Sequence, residues 1–119
     1  MGITTKVTTL TLAGSGSFYK AKLPNGDIYH KHVIWVDMKS GGVGTATEAE
    51  VKWAVDGEDS NPAAADLYTF GEVLTTTDGE SIIHDGIAPE DGALWLVANG
   101  TCEEVKHYAY DRRQFGLSK

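Results

Sequence analysis

Four histidines, a dense acidic loop, two serines in a Gly-Ser-Gly-Ser run and a single cysteine are the residues of this 119-residue chain whose types suit catalysis or metal binding. His30 and His32 stand two apart. On a strand that spacing puts both on one face, as in β-sheet metal sites, and a third ligand would have to come from another strand. No flanking carboxylate pattern or cysteine accompanies them. His30, His32, His84 and His107 therefore read as ordinary half-buried or surface histidines, and no metal is expected.

The run Asp56-Gly57-Glu58-Asp59-Ser60-Asn61 is dense in oxygen ligands of the kind calcium takes. Its spacing does not match a helix-loop-helix calcium motif, which needs acids at alternate positions and a Glu at the twelfth, so it reads as an acidic loop. Ser15 lies between glycines and Ser17 follows one, but in no Gly-x-Ser-x-Gly elbow, and Gly14 to Ser17 reads as a flexible joint. Cys102 cannot form an internal disulfide and reads as a small core residue rather than a nucleophile. Asn99-Gly100-Thr101 has the form of a glycosylation acceptor, but Met1 to Lys6 shows no charged leader and apolar stretch, so the triplet reads as a turn in a protein made in a cytoplasm. Neither an enzymatic role nor a cofactor is expected.

The elements that must position these residues are punctuated by six Asn-Gly or Asp-Gly pairs, at 25, 56, 78, 85, 91 and 99. Asn, Asp and Gly tolerate positive φ, so such pairs suit tight reversals between antiparallel strands. Between them apolar and polar residues alternate at a period of two. Residues 4–13 read as a first strand with Leu10 and Leu12 on one face. Phe18 to Leu23 reads as a second, with Tyr19, Ala21 and Leu23 on one side and Lys20 and Lys22 on the other. Pro24 to Asp27 predicts a hairpin from that strand to Ile28–Met38. The cleanest alternation is Thr47, Ala49, Val51, Trp53 and Val55 against Glu48, Glu50, Lys52 and Ala54. Further strands are expected over 67–75, around Ile82 to His84, over 93–98 and over 103–110, where Val105, His107 and Ala109 oppose Lys106, Tyr108 and Tyr110.

About eight short strands at this spacing predict an all-β fold, a single antiparallel β-sandwich or jelly-roll-like domain. The connections 39–46 and 56–66 are long enough to cross between its sheets. The expected organisation is an N-terminal extended arm or edge strand over 1–13, the sandwich over 14–111 and a C-terminal tail over 112–119. Hydrophobic residues make up 41% and charged residues 23%, a globular composition, and no apolar run reaches the ~20 residues of a spanning helix.

Charge is segregated. Residues 1–40 carry a net +3, residues 41–104 a net −13 and residues 105–119 a net +3, within an overall −7. So acidic a centre repels phosphate, and no nucleic-acid or membrane partner is expected. The basic ends suit docking on acidic surface of a neighbouring subunit. Trp53 and Trp95 read as core. Tyr108 and Tyr110, which share a face with Lys106, read as contact residues together with Arg112 and Arg113 of the basic terminus. Thr8, Leu10 and Leu12 of the Thr-rich first strand join that set, because an extended strand presents unpaired backbone to a neighbour's sheet edge.

Between Thr45 and Ser81 the chain reads Ala-Glu-Val-Lys-Trp-Ala-Val-Asp-Gly, then Leu-Tyr-Thr-Phe-Gly-Glu-Val, then Thr-Thr-Thr-Asp-Gly-Glu-Ser. This resembles small β-sandwich virion proteins of tailed bacteriophages, in which a strand ending in a Gly turn leads to a loop, a strand and a Thr-rich turn. Ala-Leu-Trp-Leu-Val-Ala-Asn-Gly-Thr and Val-Lys-His-Tyr-Ala-Tyr resemble their closing pair of strands. The resemblance spans about two-thirds of the chain and carries over no catalytic or ligand residue. It implies a non-enzymatic head decoration or capsid-associated protein that binds and stabilises a lattice of major capsid protein or other virion proteins. Such a protein would be a homo-oligomer, a trimer or similar, located in the virion. The alternatives are a carbohydrate-binding module, with aromatic side chains stacking on sugars, and a tail or neck component.

Overall fold

The structure, a computed structural model, describes residues 5–24, 31–39, 41–75, 79–85 and 92–110. They form nine strands: β1 (Thr5–Thr9), β2 (Ala13–Ser15), β3 (Phe18–Lys22), β4 (Lys31–Asp37), β5 (Ala49–Ala54), β6 (Leu67–Leu74), β7 (Glu80–Asp85), β8 (Ala93–Ala98) and β9 (Glu104–Tyr110). A four-stranded sheet in the order β1-β9-β4-β7 faces a five-stranded sheet in the order β2-β3-β8-β5-β6, and every pairing is antiparallel. The fold is an all-β, sandwich-like one. Six of the eight connections lead from one sheet to the other. Neither sheet is therefore a local product of the chain.

Period-two alternation becomes burial directly. In β4, His32, Ile34 and Val36 are fully buried and their neighbours half-buried, and the inward set Val105, His107 and Ala109 of β9 meets them from the adjacent strand. The facing sheet supplies Ala49, Val51, Leu94, Leu96 and Ala98. Met38, Leu23, Ala46 and Leu74 complete the main core, with Leu10, Leu12, Trp53 and Cys102 packed on its margin.

Four expectations are corrected by this arrangement. The strand read over 4–13 stops at Thr9; residues 10–12 cross between the sheets, and Ala13 begins a new strand in the other. Gly14 to Ser17 is no flexible joint: β2 and β3 pair as a hairpin that reverses at Gly16-Ser17, where Gly16 takes φ +62°. The hairpin predicted from Phe18–Leu23 to Ile28–Met38 does not form, because β3 pairs with β2 and β8 while β4 lies in the opposite sheet between β9 and β7. Turn residues dictate a change of direction, not which strand becomes the neighbour.

The fourth correction concerns the long connections. Residues 39–46 do cross between sheets, but 56–66 joins β5 to β6 within one sheet. It holds a single 3₁₀ turn, Ala64–Asp66, and buried Pro62. Lys20 Nζ donates to Asn61 Oδ1 at 2.7 Å and Lys22 Nζ to the Gly57 carbonyl at 2.9 Å, tying this loop to the outward side of β3. On that side of the five-stranded sheet lies a second apolar cluster of Ala54, Leu67, Ala93, Trp95 and Val97, flanked by Phe18. All six residues of β8 are consequently buried.

Candidate functional site: the outer face of the four-stranded sheet

Directly opposed residues in an antiparallel ladder point to the same side. Register therefore sorts the outward residues of the four-stranded sheet into rows. Val7 stands opposite Tyr108, which stands opposite Val33; Thr9 stands opposite Lys106, which stands opposite Trp35, with Ser81 beyond it. Val7 is 55% exposed and Thr9 is exposed, while Val33, Trp35, Lys106 and Tyr108 are half-buried. The rows make an apolar and aromatic face that ends at β1, whose far side pairs with no strand among the described residues.

Lys106 is held over this face. Its Nζ lies 3.5 Å from Glu104 Oε2 and 5.9 Å from the Trp35 ring centroid, a cation placed against an aromatic face. Trp35 also meets Gly79, at φ +95°, where an added Cβ would stand 3.0 Å from Trp35 Cζ2. Both the turn geometry and the close approach demand glycine there.

The structure brings Lys106 and Tyr108 together on this face. Thr8 is half-buried on β1 opposite His107. Leu10 and Leu12 pack on the main core of their own chain, and Leu10 N–H donates to the Val105 carbonyl at 2.9 Å. Thr5 to Thr9 pair with β9 of the same chain, so this part of the first thirteen residues is an edge strand of its own sheet. The Tyr110 backbone pairs with Thr5 and Lys31, but its side chain, like all of Arg112 and Arg113, lies outside the described residues. His30 and Tyr29 also lie outside them.

The remaining candidates are placed as follows. Asp56 Oδ1 and Asp59 Oδ1 each accept a backbone N–H of their own loop, from Glu58 and Asn61 at 2.9 Å, and with Asp66 they border a cleft lined also by Pro62 and Tyr68. Among the described residues no three possible ligands converge as a metal would need. Burial, and then the Asp37 charge, push the Cys102 thiol up to about 11, so it is protonated and unreactive at neutral pH. Asn99 is engaged as a brace: its Oδ1 accepts from Thr47 N–H at 2.8 Å and Glu48 N–H at 3.1 Å, and its Nδ2 donates to Thr47 Oγ1 at 2.8 Å. Trp95 is 5% exposed in the second cluster, and Trp53 is half-buried against the main core.

Two constellations escaped the sequence. Glu103 accepts from Gly41 N–H at 2.9 and 3.0 Å and from Val43 N–H at 3.2 Å, a nest of backbone donors filled by the protein's own carboxylate. The glycine-rich spacing of 41–44 was its only trace. The other is a contact between His32 and His107, both fully buried, whose Nδ1 and Nε2 stand 2.8 Å apart. The inward position of residue 107 was legible; its partner 75 residues away was not. Comparison with protein-family models, with curated proteins and with solved structures gave no match.

Proposed function

We propose that this protein is a non-enzymatic structural component of a virion, a head decoration or capsid-associated protein, and that it docks through the outer face of its four-stranded sheet. The observation that carries the reading is the contrast between the two outward faces. On one, the chain's own 56–66 loop is tied to Lys20 and Lys22 and Trp95 is buried, whereas the other presents Val7, Thr9, Lys106 and Tyr108 beside the β1 edge, which pairs with no further strand among the described residues. Aromatic residues are enriched at interface centres, and an edge strand offers backbone donors and acceptors to a neighbour. The bacteriophage resemblance supplies the kind of lattice. A glycan-stacking role has less support: Trp95 is buried, Trp53 packs on the main core, and the Trp35 ring meets Gly79 and Lys106.

Two measurements test the reading. Quantitative mass spectrometry of purified source virions should find many copies of the chain per particle. Val7→Lys, which keeps the core intact, should reduce co-sedimentation with emptied head shells. A chain absent from virions, or a variant that binds shells as the wild type does, overturns the proposal.

A further inference from the structure

The two ends of the sandwich differ in the charge the chain brings to them. At one end β4 and β8 finish and β5 and β9 start: Glu103 N–H donates to the Asp37 carbonyl, and Thr45 and Ala46 N–H donate to the Thr101 carbonyl. The antiparallel registers therefore put Lys31, Ala54, Leu67, Asp85, Ala93 and Tyr110 at the other end. There, just past the end of β5, lies a cleft of about 280 Å³ lined by Val55, Pro62 and Tyr68 and by Asp56, Asp59 and Asp66. Val55 is 52% exposed and Tyr68 49%, so the cleft offers apolar surface to an occupant as well as charge.

Sequence and topology say which part of the chain can answer that charge. Lys20 and Lys22 reach the same loop, but their ammonium groups donate to neutral acceptors, Asn61 Oδ1 and the Gly57 carbonyl. Asp56 and Asp59 accept backbone N–H groups of their own loop, and neither they nor Asp66 forms an ion pair among the described residues. Lys6 stands on β1, the edge of its sheet farthest from β7, and β7 is the strand that packs on β6 beside the cleft. Residues 25–30, between β3 and β4, and 86–91, between β7 and β8, carry Asp27, Glu90 and Asp91 and neither Lys nor Arg. Residues 1–4, 40 and 76–78 carry neither as well. Of all the segments outside the described residues, only 111–119 holds strong bases, Arg112, Arg113 and Lys119 against the single acid Asp111.

That segment also starts at the right end. β9 finishes at Tyr110, and only β4 separates β9 from β7. Two strand spacings and one gap between sheets are about 10 Å each, whereas nine extended residues reach about 30 Å. We propose that residues 111–119 fold back across the acidic end and seat in their own chain's cleft, Phe115 and Leu117 against Val55, Pro62 and Tyr68, and the basic side chains on Asp56, Asp59 and Asp66. Phe115 and Leu117 stand two apart, so an extended segment turns both to one side. A guanidinium pairs with carboxylates and stacks on aromatic rings, which suits a cleft holding both Asp and Tyr. The tether makes the binding intramolecular, so individually weak pairs suffice. Seated, the segment withholds Arg112 and Arg113 from neighbouring subunits; none of this rests on the docking face proposed above.

Trypsin acting on the whole chain reads the seat, because it cuts after Arg112 and Arg113. The triple variant Asp56→Asn, Asp59→Asn, Asp66→Asn removes three charges while each Asn keeps an Oδ1 to accept the loop's N–H groups. At low salt the variant should lose residues 114–119 about tenfold faster than the wild type, and about 0.5 M sodium chloride should bring the wild type to the variant's rate. Nuclear Overhauser contacts between the Phe115 ring and the Val55 methyl groups should be present in the wild type and lost in the variant. Equal cleavage at low salt, or no such contacts in the wild type, overturns the seat. So does protection that fades on dilution, which would put the segment in the cleft of a second copy. Should the variant fail to fold, the wild-type salt series and contacts decide alone.

Discussion

The two outward faces of this sandwich are built from the same strand chemistry and end in opposite states. On the five-stranded sheet, Ala54, Leu67, Ala93, Trp95 and Val97 form a second apolar cluster beside the 56–66 loop, which Lys20 and Lys22 anchor through their ammonium groups. On the four-stranded sheet, Val7 is 55% exposed and Val33, Trp35 and Tyr108 are half-buried. The lesson is that a long loop need not carry the function. Here the loop with the most eye-catching residues, the acidic stretch 56–61, is tied back onto its own sheet, and the plainer face is the one proposed to dock a partner.

The contrast breaks most sharply at Trp95. Trp95→Ala removes a buried ring from the covered face and should cost about 3–5 kcal/mol, visible in the denaturant midpoint. A loss under 1 kcal/mol would mean that the second cluster contributes little. Trp35→Ala, the equivalent change on the open face, should cost only about 1–2 kcal/mol because the ring is half-buried to begin with. It should weaken shell binding as well, which Trp95→Ala in a still-folded protein should not. Asn61→Ala tests the loop's tether. It removes the acceptor of Lys20 Nζ at an exposed site, and roughly 0.5–1 kcal/mol is expected, with increased proteolysis within 56–66. Val7→Lys should be the mildest for folding, within about 0.5 kcal/mol, and the most informative for docking. If it leaves both stability and shell binding untouched, the open face is merely solvated.

Interior alternation was open to a reading of sequence because it is local. Ala49 and Val51 against Glu50 and Lys52, and Val105, His107 and Ala109 against Lys106 and Tyr108, need only the two-residue period of a strand. The same rule strained where burial was two-sided: Ala54 belonged to the polar set of its strand by alternation yet is 1% exposed, because it packs in the second apolar cluster on that side, while Val55 is 52% exposed just beyond the strand end. The glycine pairs were legible as special positions but not always for the reason expected. Gly79 takes positive φ, whereas Gly100 does not; it is required because an added Cβ would stand 2.8 Å from Ala46 N. Close approach depends on a segment more than fifty residues away, which no dipeptide can announce.

Composition, turn chemistry and period-two patterning determine that this chain makes short antiparallel strands with one face inward, since each depends on residues within a few positions of one another. Tertiary structure alone decided the partners: that β3 and β4 part into different sheets, that 56–66 is tied to Lys20 and Lys22, that Glu103 fills the nest at 41–44, and that His32 meets His107 between the sheets. Those are contacts of long sequence separation. Their energies arise from burial and from satisfying polar groups that have left water, and both exist only once the two sheets have closed on each other.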